Sequence, residues 1–318
     1  MNFWDYDDPF LPISQMRSIP DPFSAPASDC CIMNRMAHHP PQTAKRILPG
    51  DPFILERPPK YHFLLFYKTG LSFGTNMGQI TFPEELYYGQ TVVTSLGHPF
   101  QILMPSLSDL QMKIKRRTTI IYPKDAGYML LQTGIREGSR VLECGSGSGA
   151  FTFLLACVVG RTGKICSFER RPEHLDQAKE NLQRLGEFPQ IEWHLRNTET
   201  EGFGRQGFEA AFIDVPEPWT LVAAAREALW PGGFWVSLSP NYNQVEKTVF
   251  ALEAASFAGV RTVEILEREI LVRPEKTRPK EMGITHTAFI TSARRAEPSS
   301  GTEPISEPEQ EEPHGRPE

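Results

Sequence analysis

The sequence predicts an α/β protein built on a doubly wound, mostly parallel sheet. From about residue 124 onward, short apolar strands alternate with helices, and one buried strand runs through a glycine-rich turn directly into a helix. Strands that alternate with helices imply right-handed crossovers and a parallel sheet. In such sheets ligands bind at the carboxyl ends of the strands, beside the switch in strand order. No stretch approaches 18 consecutive apolar residues, so no membrane partner is expected.

The chain before this region divides by composition into an arm and a small domain. Residues 1–47 hold seven prolines and no periodic apolar pattern, which predicts a disordered N-terminal arm. Residues 48–108 predict a small β domain, because three runs rich in β-branched and aromatic side chains are separated by Gly, Asn and Pro. These runs span residues 61–67, 73–82 and 91–104, and a helix is predicted at residues 108–115.

The elements of the third part, residues 109–295, follow in order. Pro172 stands at a first helical position, and leucines and alanines recur after it at helical spacing. Gly160 ends the apolar helix that begins at Ala150. Helices are therefore predicted at residues 124–133, 150–159, 172–185, 218–229 and 243–258, and strands at residues 140–143, 164–169, 191–194, 208–214, 234–239, near 260–272 and at 286–293.

The net charge of −6 comes from one end of the chain. Residues 296–318 carry seven glutamates, a single arginine and five prolines, which predicts a disordered acidic tail. The rest of the chain is neutral overall, which neither supports nor excludes a polyanionic partner. Five cysteines without metal-ligand spacing predict reduced thiols, no metal site and a cytoplasmic protein. The acidic, aromatic N-terminus does not resemble a targeting signal.

The most informative segment runs from the strand at residues 140–143 into a turn with glycines at 145, 147 and 149. Glycine permits a tight turn and lets a ligand approach the backbone. The pattern fits two cofactors, because it also satisfies the dinucleotide fingerprint, with Glu169 as the ribose-binding acid about 20 residues further on. A turn without any ligand is the remaining alternative.

Two carboxylates favour S-adenosylmethionine (SAM) over a nicotinamide cofactor. Glu143 lies two residues before the first glycine, where a carboxylate suits the cationic sulfonium and amino groups of SAM and would be badly placed near a pyrophosphate. Asp214 ends the strand expected beside the glycine strand. The segment that follows it includes two prolines and Trp219, so a carboxylate and an aromatic ring are expected at the methyl-transfer face. A nicotinamide dehydrogenase has no need of this element.

Several motifs in collinear order resemble the tRNA (adenine-N1)-methyltransferase family. They are the run at residues 117–126 that contains Tyr-Pro-Lys-Asp, the glycine segment at 143–150, Ser-Phe-Glu-Arg at 167–170, the segment at 214–219, and the ending at 283–290 that contains His-Thr-Ala-Phe. The resemblance covers roughly residues 48–295, and Tyr-Pro-Lys-Asp and His-Thr-Ala-Phe are its more specific motifs. It implies a class I SAM-dependent methyltransferase (Rossmann-like) domain, a small N-terminal β-barrel domain, and methylation of adenine 58 in the tRNA T-loop. It also implies a homotetramer, as in bacterial and archaeal members, whereas eukaryotic relatives pair a catalytic with a non-catalytic subunit.

The resemblance further implies roles for individual residues. Asp214 would be catalytic, because a carboxylate hydrogen-bonded to the exocyclic amine of adenine stabilises the charge that methylation places on the ring. Tyr122 would stand beside the target base. Glu169 would hold the ribose hydroxyls, and Glu199, 15 residues before Asp214, falls on the acidic contact to the cofactor adenine. The complete set of predicted cofactor-binding residues is Glu143, Gly145, Ser146, Gly147, Ser148, Gly149, Ala150, Glu169, His174, Glu199 and Asp214.

Two basic clusters are candidate tRNA contacts, because phosphate contacts can offset the free energy of extruding a stacked adenine. The first comprises Lys113, Lys115, Arg116, Arg117 and Lys124, and the second Arg273, Lys276, Arg278 and Lys280. A protein or small-molecule methyltransferase, the first alternative, would have no reason for these clusters. A non-catalytic RNA-binding subunit, the second, is expected to have lost the glycine loop and the strand-end aspartate. Packing roles remain open for Trp219, as a core tryptophan, and for His286, as a hydrogen-bonded histidine at a strand edge.

Overall fold

The computed structural model describes residues 44–117, 119–281, 283 and 286–297. The predicted arm and the predicted acidic tail lie outside the described residues, apart from residues 44–47 and 296–297, and both stay predictions. The chain divides into two units, and the second, which begins at Arg46, contains every element named below. Among the described residues, no helix is long and apolar enough to cross a membrane.

Eight short strands at the start of this second unit form three small antiparallel sheets. Alternating apolar side chains such as Phe53 and Leu55 are fully buried in their common core. The largest sheet has the order β3-β2-β8-β7 and is open among the described residues, so the β-barrel that the resemblance implies is not confirmed. The strands are β1 (Arg46–Ile47), β2 (Pro52–Arg57), β3 (Tyr61–Phe66), β4 (Ser72–Thr75), β5 (Gly78–Thr81), β6 (Leu86–Tyr87), β7 (Thr91–Val93) and β8 (Pro99–Leu103).

Two helices lead from these sheets into the α/β region. The helix α1 (Leu107–Met112) begins after Ser106, whose side chain forms a capping box with Asp109. The helix α2 (Pro123–Leu131) begins with proline at its first position, where the missing N–H has no helical partner to lose. The following elements are β9 (Arg140–Cys144), α3 (Ala150–Val159), β10 (Lys164–Glu169), α4 (Pro172–Leu185), β11 (Ile191–Leu195), α5 (Thr198–Glu201), β12 (Phe208–Ile213), a 3-10 turn (Pro218–Leu221), α6 (Val222–Ala228), β13 (Leu229–Ser239), α7 (Tyr242–Ala254), β14 (Phe257–Glu264), β15 (Ile270–Leu271), β16 (Arg278–Pro279) and β17 (Phe289–Arg295).

In the part of the chain that the structure describes, the central sheet has seven strands in the order β11-β10-β9-β12-β13-β17-β14. The strands from β11 to β13 run parallel, and β17 lies antiparallel between β13 and β14. From β9 the chain moves outward to β10 and β11 and then returns to β12 on the other side of β9. The strand order therefore switches between β9 and β12, which is where ligands bind in doubly wound sheets.

Helices cover both faces of this sheet, as the doubly wound prediction requires. The helices α2, α3 and α4 contribute to the apolar cluster on one face, and α6 and α7 contribute to the cluster on the other. Side chains alternate along β9, so that Val141 belongs to the first cluster and Leu142 to the second. Both residues are fully buried.

The structure corrects several predicted boundaries. The strand β1 pairs with β6, so the folded unit begins two residues before the predicted boundary at residue 48. The run predicted at 73–82 is the hairpin β4–β5, and the strand predicted at 234–239 already begins at Leu229. The strand β2 was not predicted, although it is an inner strand of its sheet. The helix predicted at 218–229 is a 3-10 turn followed by α6.

Candidate active site at the switch in strand order

The ends of β9 and β12 bring Gly145 next to Asp214. Cys144 pairs with Ile213 across the two strands, and the Asp214 amide donates to the Cys144 carbonyl oxygen at 2.8 Å. Gly145 has a φ of +96°, and a Cβ added there would lie 2.1 Å from the carbonyl oxygen of Asp214. Only glycine therefore allows the two strand ends to come this close.

A cavity opens beside this contact, and we call it the loop cavity. Its walls are the glycine turn, the end of β10 with the start of α4, and the chain before α2. Most of the residues that the sequence predicts for cofactor binding line this cavity. The lining residues are Thr119, Ile120, Ile121, Gly145, Ser146, Gly147, Ser148, Ala150, Phe151, Glu169, Arg171, His174 and Asp214.

Glu169 is fixed at the end of β10 by backbone hydrogen bonds. Its Oε1 accepts from the amides of Arg170 at 2.9 Å and Arg171 at 3.0 Å, and its Oε2 accepts from the amide of Gly147 at 3.1 Å. His174 Nδ1 lies 4.0 Å from the same Oε2. Because a carboxylate oxygen can accept two hydrogen bonds, Oε2 keeps acceptor capacity for a ligand hydroxyl.

Glu143 lies behind the turn and is not among the residues that line the loop cavity, so its contact with the cofactor stays a prediction. It is 2% exposed, and its Oε2 accepts from Thr152 Oγ1 at 2.6 Å and Ser167 Oγ at 2.5 Å. Ser167 Oγ is also 2.6 Å from Ser146 Oγ, and Ser146 lines the loop cavity. Burial raises the pKa of Glu143 to about 7, although the two hydroxyl donors act in the opposite direction. The side chain of Glu143 is therefore connected to the loop cavity by the hydroxyl groups of Ser167 and Ser146.

A second cavity, the strand-end cavity, continues past Glu169 along the ends of β11 and β12. Glu199 lies on its wall in the short helix α5, where the side chain of Asn197 accepts from the Glu199 amide at 3.2 Å. Arg170 Nη1 lies 3.6 Å from Glu199 Oε1. The other lining residues are Cys144, Gly145, Phe168, Glu169, Arg171, Arg196, Thr198, Asp214, Val215 and Pro216.

Asp214 also lines a third cavity of about 420 Å³, the outer cavity, and thus stands where all three cavities meet. Tyr122 lines the outer cavity but neither of the other two. Although the carboxyl group of Asp214 faces the open cavities, its deep position raises its pKa to about 6, and the charge of Glu169 adds to the rise. The remaining lining residues are Thr119, Ile120, Ile121, Asp125, Val215, Pro216, Leu238, Pro240, Gln244, Thr287 and Ala288.

Three further predicted residues lie outside the cavities. Gly149 packs under α4, because a Cβ there would lie 2.7 Å from Leu182, and it is not among the residues that line the loop cavity, so its predicted contact with the cofactor stays a prediction. Trp219 is half-buried beneath the ammonium group of Lys247, 4.7 Å from its ring centre, and lines none of the three cavities. His286 places Nδ1 2.6 Å from Glu264 and Nε2 3.0 Å from the Pro240 carbonyl oxygen. These partners raise the pKa of His286, which agrees with its interpretation as a hydrogen-bonded strand-edge histidine.

The first basic cluster loses one member in the structure. Lys113, Lys115, Arg116 and Arg117 are exposed, but the side chain of Lys124 is 8% exposed and is hydrogen-bonded inside the protein. The second cluster is exposed on the segment around β15 and β16, and it is partly neutralised. Arg278 pairs with Glu281 at 2.7 Å, and Lys280 pairs with Glu269 at 2.6 Å.

One group of potential metal ligands occurs among the described residues. The ligand atoms of Cys166, Glu192 and His194 lie within 4.8 Å of one another on the neighbouring strands β10 and β11. Glu192 is already paired with Lys164 at 2.6 Å and Arg205 at 3.6 Å, and these two cations oppose a metal ion at the same carboxylate. We therefore interpret the group as an ion-pair network, and the absence of a functional metal stays a prediction.

Sequence reasoning missed several residues that line the cavities, including the following four. Arg171 lines both the loop cavity and the strand-end cavity, and the outer cavity includes Asp125, Gln244 and Thr287. Arg171 directly follows the motif Ser-Phe-Glu-Arg, and Asp125 belongs to Tyr-Pro-Lys-Asp, so the motifs were the available signal. Nothing in the sequence around Gln244 indicates its position.

Comparisons with known proteins agree with this geometry. The family model described as "tRNA methyltransferase complex GCD14 subunit" matches residues 100–312. The tRNA (adenine(57)-N(1)/adenine(58)-N(1))-methyltransferase TrmI of Methanocaldococcus jannaschii is 34% identical over 255 residues, which cover 72% of this chain and 90% of the relative. A tRNA (adenine(58)-N(1))-methyltransferase TrmI of Thermus thermophilus is 35% identical over 251 residues, which cover 78% and 97%.

Two solved structures extend the similarity to the fold. A SAM-dependent O-methyltransferase from Thermotoga maritima superposes with a TM-score of 0.74 at 32% identity, covering 80% of this chain and 96% of that one. The tRNA (m1A58) methyltransferase TrmI from Aquifex aeolicus gives 0.68 at 28% identity, covering 78% and 98%. Fold and site therefore define a class I SAM-dependent methyltransferase, as predicted. The family match goes further: this chain belongs to the GCD14 family of tRNA methyltransferase subunits, which confirms the resemblance stated above.

Proposed function

We propose that this protein transfers the methyl group of SAM to N1 of adenine 58 in the T-loop of tRNA. The observation that carries the proposal is the position of Asp214, where the loop cavity, the strand-end cavity and the outer cavity meet. A carboxylate at this junction can face both a bound methyl donor and the base that receives the methyl group. Position 58 is favoured because the names of all three TrmI proteins reported above include it.

The residues present fit SAM as the methyl donor. Gly145 lets the ends of β9 and β12 meet, which brings Asp214 to the loop cavity, and Glu169 offers a fixed carboxylate oxygen to ribose hydroxyls. Glu199 lies in the adjoining strand-end cavity, where we place the cofactor adenine. When bound, SAM supplies an electrophilic methyl group on a sulfonium. The buried carboxyl group of Glu143 lies behind Ser146, and in its ionised form, which the positive charge of bound SAM favours, it adds negative potential at the loop cavity.

We place the acceptor adenine in the outer cavity, between Asp214 and Tyr122. N1 of adenine is a weak, in-plane nucleophile, and its methylation gives the ring a positive charge. The Asp214 carboxylate accepts a hydrogen bond from the exocyclic amine, stabilises the developing charge and can take a proton from that amine. The target base must first be extruded from the folded tRNA, which costs a few kcal/mol and requires compensating contacts elsewhere.

The direct test is mass spectrometry of nucleosides from tRNA incubated with the purified protein and SAM. We expect N1-methyladenosine, mapped to position 58 by sequencing of the digested tRNA. A tRNA whose position 58 is not adenine is the matched control. Methylation at position 57 as well would widen the proposed specificity. A protein or small-molecule product with unmodified tRNA would overturn the proposal.

We further propose that the protein acts as a homotetramer in the cytoplasm. The resemblance to bacterial and archaeal members of the family implies this assembly, and the free thiols of Cys144, Cys157 and Cys166 are consistent with a reducing compartment.

The affinity for tRNA should fall steeply as the salt concentration rises. Lys113, Lys115, Arg116 and Arg117 are exposed at the end of α1 on the chain that leads to the outer cavity, where they can contact phosphates. A plot of the logarithm of the binding constant against the logarithm of the salt concentration has a slope set by the number of phosphates neutralised. The double variant Lys115→Glu with Arg116→Glu should reduce this slope by roughly one for each phosphate that the protein no longer neutralises. Filter binding or fluorescence anisotropy across a salt series measures the slope.

The control for this experiment is Arg161→Glu, an exposed charge reversal between α3 and β10, at the opposite end of the parallel strands from the cavities. It should leave the slope close to that of the wild type. An equal slope change in both variants would show only a general effect of net charge. Affinity that does not respond to salt would contradict the assignment of the cluster to phosphates.

Replacing Glu169 should weaken SAM binding. Glu169→Gln keeps the size of the side chain but loses its charge and one of its two acceptor oxygens. Loss of charged hydrogen bonds to ribose hydroxyls is expected to cost about 1–3 kcal/mol of binding free energy. Calorimetric titration with SAM measures the change, and Glu180→Gln on the exposed side of α4 is the matched control. If the folded Glu169→Gln variant binds SAM as tightly as the wild type, Glu169 does not hold the ribose.

A further inference from the structure

The two most family-specific motifs of the sequence meet in one buried hydrogen-bond network. Lys124 and Asp125 belong to Tyr-Pro-Lys-Asp, and Thr287 belongs to His-Thr-Ala-Phe, about 160 residues later in the chain. The proposed chemistry uses Asp214 and Tyr122 and leaves these three side chains without a role. Their side chains nevertheless contact one another at the border of the outer cavity, which Asp125 and Thr287 both line.

The network is a closed ring in which every polar group has a partner. Lys124 Nζ donates to Asp125 Oδ1 at 2.7 Å, to Thr287 Oγ1 at 2.6 Å and to the Ile265 carbonyl oxygen at 2.7 Å. Thr287 Oγ1 in turn donates to Asp125 Oδ2 at 2.6 Å. The three ammonium protons and the threonine hydroxyl proton are thus all used. The side chains of Lys124 and Asp125 are 8% and 1% exposed, so the pair is shielded from water.

The ring joins three parts of the chain that border the proposed acceptor site. Asp125 lies in the first turn of α2, and its amide donates to the Tyr122 carbonyl oxygen at 3.0 Å. Ile265 directly follows β14, and Thr287 lies two residues before β17. The ring therefore fixes the start of α2, which carries Tyr122, relative to the end of the antiparallel pair β14–β17.

We infer that Lys124, Asp125 and Thr287 are positioning residues for methyl transfer, which hold the Tyr122 side of the outer cavity in register with Asp214. This inference rests on the proposed function, because it assumes that the acceptor base lies in the outer cavity. Methyl transfer depends on alignment of the acceptor nitrogen with the methyl group, and small misplacements of the reacting atoms are costly in rate. In this role the ring takes no proton in the reaction and acts by fixing the wall of the outer cavity, which Asp125 and Thr287 line.

A second threonine on the same part of the sheet serves as a comparison, because its hydroxyl makes only a structural contact. Thr291, in β17, is fully buried, and its hydroxyl lies 2.8 Å from that of Thr262 in β14. It fastens the same two strands but does not line the outer cavity. Loss of either hydroxyl removes a buried hydrogen bond between neighbouring segments, whereas only loss of Thr287 changes the wall of the proposed acceptor site.

The test compares Thr287→Val with Thr291→Val in the full-length protein. Valine keeps the shape of threonine and removes the hydroxyl, so Asp125 Oδ2 loses its donor in the first variant only. We expect Thr287→Val to lower kcat for tRNA methylation on the order of 10–100-fold, as for a misplaced reacting group. The dissociation constant for SAM, measured by calorimetry, and the KM for tRNA should stay close to wild type. Thr287→Ser, which restores the hydroxyl, should recover most of kcat.

Thr291→Val should lower Tm by a similar amount to Thr287→Val and keep the wild-type kcat. Equal kcat values for the two valine variants, or no recovery in Thr287→Ser, would overturn the positioning role. Identification of the wild-type product by mass spectrometry distinguishes failure of the proposed function from failure of the positioning role. If the wild type methylates a different acceptor, the proposed function fails, and the same variants are then compared on that acceptor. An equal loss of SAM affinity and of kcat in Thr287→Val would also overturn the inference, since it would indicate general disruption of the site.

Discussion

Asp214→Ala is expected to lower the single-turnover rate of methyl transfer by on the order of 10²–10³-fold, as loss of one well-placed electrostatic group usually does. SAM and tRNA should still bind, because Glu169, the glycine turn and the exposed basic residues remain in place. Asp214→Asn keeps an acceptor oxygen but cannot take a proton, so its rate should be intermediate if stabilisation and proton acceptance both matter. Rapid-quench measurements with a T-loop-containing tRNA, with the product identified as N1-methyladenosine, provide the rates.

The pH dependence gives an independent check on the same carboxylate. Desolvation by the protein around the cavity junction, with a further contribution from the charge of Glu169, raises the pKa of Asp214 to about 6. A raised pKa means that the carboxylate form is lost as the pH falls through about 6, so kcat/KM should fall below that pH. In the pH profile of kcat, the fall on the acid side should occur at a lower pH than in the profile of kcat/KM, because a bound sulfonium favours the charged carboxylate. Asp214→Asn should lack this limb, and rates near wild type for Asp214→Ala would remove Asp214 from the mechanism.

Gly145→Ala is expected to abolish measurable SAM binding and therefore activity. The added Cβ would lie 2.1 Å from the carbonyl oxygen and 2.9 Å from the carbonyl carbon of Asp214, so the ends of β9 and β12 must separate. This displacement changes the loop cavity and moves Asp214. The free energy of unfolding should also fall by roughly 1–3 kcal/mol, the usual range for overpacking of a tight site. Calorimetric titration and thermal melting measure the two effects.

Gly138→Ala is the matched control for this variant. Gly138 has a similar φ of +88°, but a Cβ there would meet only Thr162 Oγ1 at 3.8 Å, an ordinary contact. Both variants therefore introduce the same backbone strain, and only Gly145→Ala introduces the collision at the strand ends. Gly138→Ala should lose some stability and keep wild-type affinity for SAM. A similar loss of SAM affinity in both variants would assign the effect to backbone strain instead.

Local patterns in the sequence were sufficient for the elements that position the site. The helices α3 and α4 and the strand β10 begin and end where predicted, because an apolar run or a helical repeat is bounded by glycine or proline in each case. The strand β2 was missed because prolines stand on both sides of it, although Pro52 occupies the first position of the strand, where proline is tolerated. The strand β13 was predicted too short, because Pro231 and the two glycines after it resemble a turn.

The site itself was predictable only where it lies next to a motif. Gly145, Glu169 and Asp214 follow strands whose order could be inferred, and all three line the loop cavity. The orientation of Glu143 depends on the face of β9 from which its side chain projects. On that face the hydroxyls of Thr152 and Ser167 donate hydrogen bonds to its carboxylate. Lys124 was expected at the surface, because a cation near other cations gives no sign of a buried partner in a distant segment.

The two edges of the central sheet limit how copies of this chain can associate. A row of unpaired backbone N–H and C=O groups at a sheet edge can pair with another chain. At the β11 edge, Glu192 and its cationic partners Lys164 and Arg205 place charges along the strand. At the β14 edge, an irregularity between Ala258 and Arg261 interrupts the regular hydrogen-bonding pattern. Both devices oppose the addition of another strand to the sheet that the described residues form, so open-ended fibre growth by sheet extension is disfavoured.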